Sequence, residues 1–243
     1  MQVSSNVRPL KETPHASQTP QYKERWFCYL DLLGFTNLVR SREVGPVIDL
    51  YEEAISKLEL GASGKRSLGL SYSWFSDTFI IFTRGDSLEE FTWLEQAGRL
   101  FFQRLIFSAI PARGAISHGK LYSNLEKNIF VGEALIEAYE YGEDQDWLGL
   151  LLTPSVYRKL EGTQLDVRQR YNYRPAPNKG VMRKLDAEHV FAYTFNNATV
   201  NGMNPLFSAI RSMKRASAEP FRGKYERAEQ FIAKHRTVAA TAA

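Results

Sequence analysis

Two aspartates carry the first chemical signal in this sequence. Asp31 closes the apolar run Trp26 to Asp31, and Asp77 lies in a short polar break flanked by Phe75 and Phe79. An ionised carboxylate beside a core is costly unless it is paired or bound to a metal ion. Two of them on elements expected to be sheet neighbours suggest a shared cation. Taken singly, Asp31 would also serve as a cap for the turn at Gly34, and Asp77 as an ordinary turn aspartate. The segment Leu32-Leu33-Gly34-Phe35-Thr36 follows the first aspartate. Backbone N–H groups of such a turn can face phosphate oxygens, and Gly34 permits close approach. Hard oxygen ligands together with phosphate point to Mg²⁺ or Mn²⁺.

The surrounding pattern supplies elements to hold these residues. Trp26 to Asp31 reads as a strand of aromatic and aliphatic residues. Apolar residues at 44, 47, 48, 51, 54, 55 and 58 have helical spacing, which Gly61 and Gly64 interrupt. Leu68 to Phe75 and Phe79 to Phe82 read as two strands with Ser76 and Asp77 at a hairpin tip. A second helix is expected over Leu88 to Phe107. A strand follows Pro111 and ends near His118, a third helix begins at Val131, and another strand covers Leu148 to Leu152. This βαββαβ order predicts an α+β, ferredoxin-like core. In that order the first and third strands are central neighbours, which brings Asp31 and the hairpin tip together near one edge of the sheet. Arg168 to Phe195 should add a β arm, and two short helices are expected near Pro205 to Ala218 and Lys224 to His235.

The organisation is thus a polar tail over 1–22 with Pro9, Pro14 and Pro20, a main domain over 23–200, a helical extension over 201–236, and a frayed end over 237–243. The 243 residues are 44% apolar and 24% charged, with 15 Phe, 12 Tyr and 4 Trp, enough to fill a core. The net charge of +4 suits a polyanionic ligand. Basic residues are scattered rather than gathered in a stripe, the densest patch being Arg211 to Arg215, so nucleic acid is not expected as the ligand. The single cysteine, Cys28, excludes an intrachain disulfide and reads as a small buried hydrophobe. The N-terminus lacks a signal-peptide core and no stretch reaches the length of a membrane span, so a cytoplasmic protein without membrane partners is expected.

Four segments in order resemble the class III nucleotide cyclases. Tyr29-Leu30-Asp31-Leu32-Leu33-Gly34-Phe35-Thr36 looks like their first metal-binding strand. Ser76-Asp77-Thr78-Phe79 resembles the second metal-binding hairpin, with Ser76 where Gly is usual. Ala112 to Gly119 is similar to the following strand, and Phe130 to Leu135 to the start of the next helix. The resemblance spans roughly residues 25 to 195. It is closer to the bacterial pyrimidine cyclases of Pycsar anti-phage defence, in the Arg113-Gly114-Ala115-Ile116 strand and the Gly132 to Tyr139 helix.

The resemblance implies cyclisation of UTP, or of CTP, to the 3′,5′-cyclic monophosphate with release of pyrophosphate. The product would act on a separate effector protein. It further implies two Mg²⁺ or Mn²⁺ ions per site, held by Asp31, Asp77 and the backbone carbonyl of Leu32. The site would lie at the interface of a homodimer. Arg113 is the first candidate for steadying charge on phosphate oxygens and Lys179 the second, with Lys120 third. Leu33, Gly34, Phe35 and Thr36 would approach the phosphates, and Ser73, Trp74 and Phe35 would shape the base pocket. Ser73 and Ile129 stand where adenylyl cyclases carry a Lys and an Asp that read adenine. Ile136 and Glu140 stand where an Asn and a transition-state Arg are usual, and Trp147-Leu148-Gly149 where many pyrimidine cyclases carry a Pro-Arg pair. His118 has no evident acid–base partner and reads as structural. Two other readings use the same residues. One is a cyclase-fold binding or regulatory module without turnover, signalled by Glu140. The other is a different palm-type nucleotidyl transferase, although no Gly-Gly-acid-acid-Phe hairpin is present.

Overall fold

A computed structural model describes residues 20–35, 39–40, 43–62, 69–170, 172–177, 182–183, 188–195, 204–219 and 221–236. Thr36 and Lys179 lie outside the described residues. Strand β1 is Lys23–Leu32, followed by helix α1, Val44–Ala62. Strands β2 (Ser71–Phe75) and β3 (Thr78–Phe82) form a hairpin that leads to α2, Leu88–Phe107. Strand β4 (Ala112–Asn124), the short β5 (Ile129–Val131), α3 (Glu133–Asp144) and β6 (Leu150–Leu152) complete the core. Helix α4 (Pro154–Leu160), strands β7 (Tyr173–Pro175) and β8 (Phe191–Tyr193), and helices α5 (Pro205–Ala216) and α6 (Arg222–Arg236) follow.

Seven strands line up as β2-β3-β1-β4-β6-β8-β7, and β5 pairs with β4 off that path. The β2-β3-β1-β4 portion is the expected ferredoxin-like core, antiparallel throughout. Strand β6 runs parallel to β4 and connects it to the β7–β8 arm. The result is an α+β fold with a mixed sheet.

Side-chain alternation along β1 sorts residues between two faces. Trp26, Cys28, Leu30 and Leu32 enter the large core against α2, with Phe91, Leu94, Phe101 and Phe102. Phe27 and Tyr29 enter a smaller cluster with Ala134 and Ala138 of α3. Asp31 continues the second series, so its carboxylate belongs to the α3 face. Helix α2 is started by a capping box, in which Ser87 Oγ accepts from the Glu90 N–H while the Glu90 carboxylate accepts from the Ser87 N–H. Helices α5 and α6 share the large core through Leu206, Ile210, Ala228, Phe231 and Ile232, and Phe231 meets Trp147 edge-on.

Four local expectations change. Strand β4 runs beyond His118 to Asn124, because its far end pairs with β5. Val131 closes β5 instead of opening a helix, and α3 begins after Gly132. That glycine has a φ of 154°, and a Cβ there would lie 2.1 Å from the Lys120 carbonyl oxygen. Strand β6 begins at Leu150, not Leu148. Helix α4, introduced by Pro154 at its first turn, was not anticipated.

Candidate active site

Asp31 ends β1 in the middle of the sheet, flanked in register by Thr78 of β3 and Arg113 of β4. The two candidate metal aspartates are therefore brought together at the strand ends, not at the sheet's lateral edge. Asp77 occupies the second position of the two-residue β2–β3 turn, where Ser76 takes a φ of 54°. The Leu32 N–H donates to the Asp77 carbonyl at 3.0 Å, and the Leu33 N–H to the Pro111 carbonyl at 2.8 Å. These bonds tie the hairpin tip and the start of β4 to the end of β1.

A cleft of about 440 Å³ opens at this point. Asp31, Asp77, Thr78, Arg113 and the Leu32-Leu33-Gly34-Phe35 turn line it. Tyr29, Tyr139 and Glu143 line the α3 side, and Lys224 of α6 closes another. A smaller pocket of about 170 Å³ adjoins it, sharing Leu33, Gly34 and Lys224.

Burial of Asp31 dominates the electrostatics. Removal from water, together with the negative charges of Glu143 and Asp77, pushes its carboxyl pKa up to about 7, against the opposing pull of Arg113. Arg113 is itself buried and heavily engaged. Its Nε donates to Asp31 Oδ2 at 3.2 Å, and its Nη1 to the carbonyls of Glu143 at 2.7 Å and Gln145 at 3.0 Å. Its Nη2 donates to Glu143 Oε2 at 2.5 Å. Glu143 also accepts from the Tyr29 hydroxyl at 2.9 Å. One guanidinium thus serves two cleft carboxylates and the C-terminal carbonyls of α3.

The donor set fits a divalent ion. A buried carboxylate with a raised pKa lacks enough positive charge around it. A second carboxylate, half-exposed at the hairpin tip, faces the same cleft. No group of three or more His, Cys, Asp and Glu side chains with metal-holding geometry occurs among the described residues. Magnesium sites commonly take one or two carboxylates and complete their shell with water and substrate phosphate.

Of the remaining sequence candidates, Leu33, Gly34 and Phe35 line the cleft. Gly34 has a φ of +80° and open space where a Cβ would stand. Ser73 and Trp74 are not among the cleft residues. The Ser73 hydroxyl donates to Asn128 Oδ1 at 3.1 Å, and the Trp74 ring stacks on Tyr72. Ile136 and Glu140 are exposed on α3. His118 is half-buried over the Trp26 ring, with Nε2 3.4 Å from Asp86 Oδ2. Glu143, Tyr139 and Lys224 escaped the sequence reading. Glu143 follows Tyr139 by one helical turn on α3, a spacing that could have flagged it. Nothing local to Lys224 announces it.

No protein-family model matches the chain, and no curated protein sequence matches it. Solved structures do match in fold. The adenylyl cyclase CyaB from P. aeruginosa superimposes with a TM-score of 0.54 at 12% identity, over 76% of this chain and 100% of that one. A bacterial light-regulated adenylyl cyclase gives a TM-score of 0.53 at 14% identity, over 86% of this chain and 59% of that one. The monomeric guanylyl cyclase domain of the RhoGC fusion protein from the aquatic fungus Blastocladiella emersonii gives 0.51 at 10% identity, over 71% and 94%. No helix among the described residues is long and apolar enough to cross a membrane. Taken with the strand order and the placement of Asp31 and Asp77, these likenesses establish that the chain has the fold of the class III nucleotide cyclases.

Proposed function

We propose that this protein is a nucleotide cyclase that converts a pyrimidine nucleoside triphosphate, UTP before CTP, to its 3′,5′-cyclic monophosphate. The observation that carries the reading is the convergence of Asp31 and Asp77 on one cleft beside a glycine turn. In the reaction the ribose 3′-oxygen forms a bond to the α-phosphorus, the bond from that phosphorus to the β-phosphate bridging oxygen breaks, and pyrophosphate leaves. The hydroxyl proton passes to water.

Asp31, Asp77 and the Leu32 carbonyl would hold two Mg²⁺ or Mn²⁺ ions. When bound, these would lower the pKa of the 3′-hydroxyl and neutralise phosphate charge. Arg113 orients the Asp31 carboxylate toward the cleft and keeps Glu143 from competing for that position. In the Leu33-Gly34-Phe35 turn the Leu33 N–H is already given to the Pro111 carbonyl, so the Gly34 N–H is the backbone donor proposed to meet a phosphate, and orientation supplies much of the rate in an intramolecular attack. Thr36 and Lys179, outside the described residues, are proposed for phosphate binding on the sequence resemblance alone.

Pyrimidine preference is supported by what replaces the adenine-reading pair. Ser73 is neutral and bonded to Asn128, and Ile129 is exposed and apolar. The sequence resemblance to the pyrimidine cyclases points the same way, and with it a role as the signal in anti-phage defence, acting on a separate effector. A homodimer with sites at the subunit interface is supported by large apolar side chains left exposed on three elements: Phe75 at 77%, Val131 at 48% and Ile136 at 53%.

The test is incubation of the pure protein with each of the four ribonucleoside triphosphates and Mn²⁺, with the products resolved by chromatography. Cyclic UMP or cyclic CMP as the dominant product is expected. Absence of any cyclic product from a folded dimer would end the enzyme reading. One observation favours the alternative of a binding or regulatory module. Glu140 occupies the place of the usual arginine, and four of the five N–H donors of Arg113 are already taken by the protein.

A further inference from the structure

We infer that Lys224, near the start of α6, is a substrate-binding residue that takes the outer phosphates of the triphosphate, making the C-terminal helix part of the site. This rests on the cyclase reading and identifies a cation for it. Lys224 lines the main cleft together with the two aspartates and also lines the adjoining pocket with Leu33 and Gly34. A polyphosphate leaving the Asp31–Asp77 end would follow the glycine turn toward this ammonium.

The neighbouring cations are spent on the protein. Arg113 is occupied by Asp31, Glu143 and two carbonyls. Arg183 donates to the carbonyls of Asp144 at 3.1 Å and Glu143 at 2.5 Å. Arg227 donates to the Asp146 carbonyl at 2.7 Å and to Asp146 Oδ2 at 2.5 Å. Among the described residues the carboxylate oxygen within 4 Å of Lys224 Nζ is Asp146 Oδ1 at 3.8 Å, outside hydrogen-bond range, and Arg227 already pairs that carboxylate.

The Lys224 side chain is three-quarters buried, and its ammonium makes no hydrogen bond to any described residue. Burial and the positive charges of Arg113, Arg183 and Arg227 push its pKa down, a penalty that a bound anion would relieve. The first turn of α6 contains no acidic residue to neutralise its N-terminal N–H groups, which adds to the positive potential there.

The experiment compares wild type with Lys224→Ala, Lys224→Arg and the exposed control Lys127→Ala. Binding of inorganic pyrophosphate with Mg²⁺ is measured by calorimetry, and KM for the cyclised triphosphate by product formation. Loss of a charge-assisted phosphate contact should weaken pyrophosphate binding and raise KM by about 10-fold or more in Lys224→Ala. Lys224→Arg should recover most of it, and Lys127→Ala should match wild type. Thermal unfolding of each variant is recorded only to show that it is folded, since the Lys224 side chain is three-quarters buried and its truncation alters packing and desolvation as well as charge. Equal pyrophosphate affinity in wild type and Lys224→Ala, or no pyrophosphate binding by wild type, overturns the inference. Failure of the cyclase reading is seen separately, as no cyclic product from wild type. Lys224-dependent pyrophosphate binding would still support the phosphate site.

Discussion

Asp31 and Arg113 face each other across β1 and β4, joined by a 3.2 Å hydrogen bond from Nε to Oδ2, yet the aspartate carboxyl remains far harder to ionise than usual. The pairing is insufficient chiefly because burial takes Asp31 out of water, and Arg113 is shared besides. Glu143 takes its Nη2, and the Glu143 and Asp77 charges oppose ionisation of Asp31. With Asp31 ionised the cleft is lined by three carboxylates, Asp31, Asp77 and Glu143, against the two cations Arg113 and Lys224, an imbalance that a divalent cation corrects.

The first consequence is a pH dependence of the metal-free protein. With its folded pKa near 7 and its ordinary value at 3.8, Asp31 keeps a proton in the native state that the unfolded chain has released. Its contribution to stability therefore falls as pH rises between those values, at up to about 1.4 kcal/mol per pH unit. In EDTA, urea unfolding from pH 5 to pH 8 should show this loss, and Asp31→Asn should flatten the slope. Mn²⁺ should restore stability at pH 8 in wild type but not in Asp31→Asn.

Asp77 is half-exposed at a turn, so its side chain contributes little to folding. Asp77→Ala should lower cyclase activity by about three orders of magnitude, the scale of a lost electrostatic group at a reaction centre. Its unfolding free energy should stay within about 0.5 kcal/mol of wild type. Circular dichroism and product formation measured on the same sample separate the two effects. Loss of folding would identify Asp77 as structural.

Gly142 lets α3 approach β1. A Cβ at this position would lie 2.6 Å from the Tyr29 ring. Gly142→Ala should cost about 1–3 kcal/mol, the range for overpacking. It should also lower activity beyond the folding loss, because Glu143 is the next residue and holds Tyr29 and Arg113. Denaturant titration and steady-state kinetics at matched folded fraction check both.

Ser76 carries a backbone conformation that suits glycine better than serine, with a φ of 54°. Ser76→Gly should raise stability by up to about 1 kcal/mol, if relief of strain exceeds the added entropy of the unfolded chain. A lower stability in urea titration would show that the serine side chain contributes at the turn.

Residue patterns along the chain were enough to order the strands and helices of the core. The helix Leu88–Phe107 has the bounds its apolar face implies, and βαββαβ order fixes which core strands are neighbours. That topology also brings Asp31 and Asp77 together, because the end of β1 and the β2–β3 turn meet in any antiparallel pairing of β1 with β3. The start of α3 was misread because Val131 and Leu135 suit either a strand or a helix, and only the pairing of β5 with β4 decides between them.

Partnership within the site was decided by tertiary structure. Side-chain chemistry marks Arg113 as a cation, but its acceptors come from β1 and the end of α3, so its engagement depends on how that helix packs. Glu143 and Lys224 reach the cleft from helices whose own sequences show only ordinary surface charges. Local propensity and periodicity act over one or two turns of chain, whereas charge balance in a cleft depends on distances between segments far apart in sequence. Residue order alone thus determined the order of the four core strands and the aspartate pair, and packing determined where the β arm joins and which other charges meet the pair.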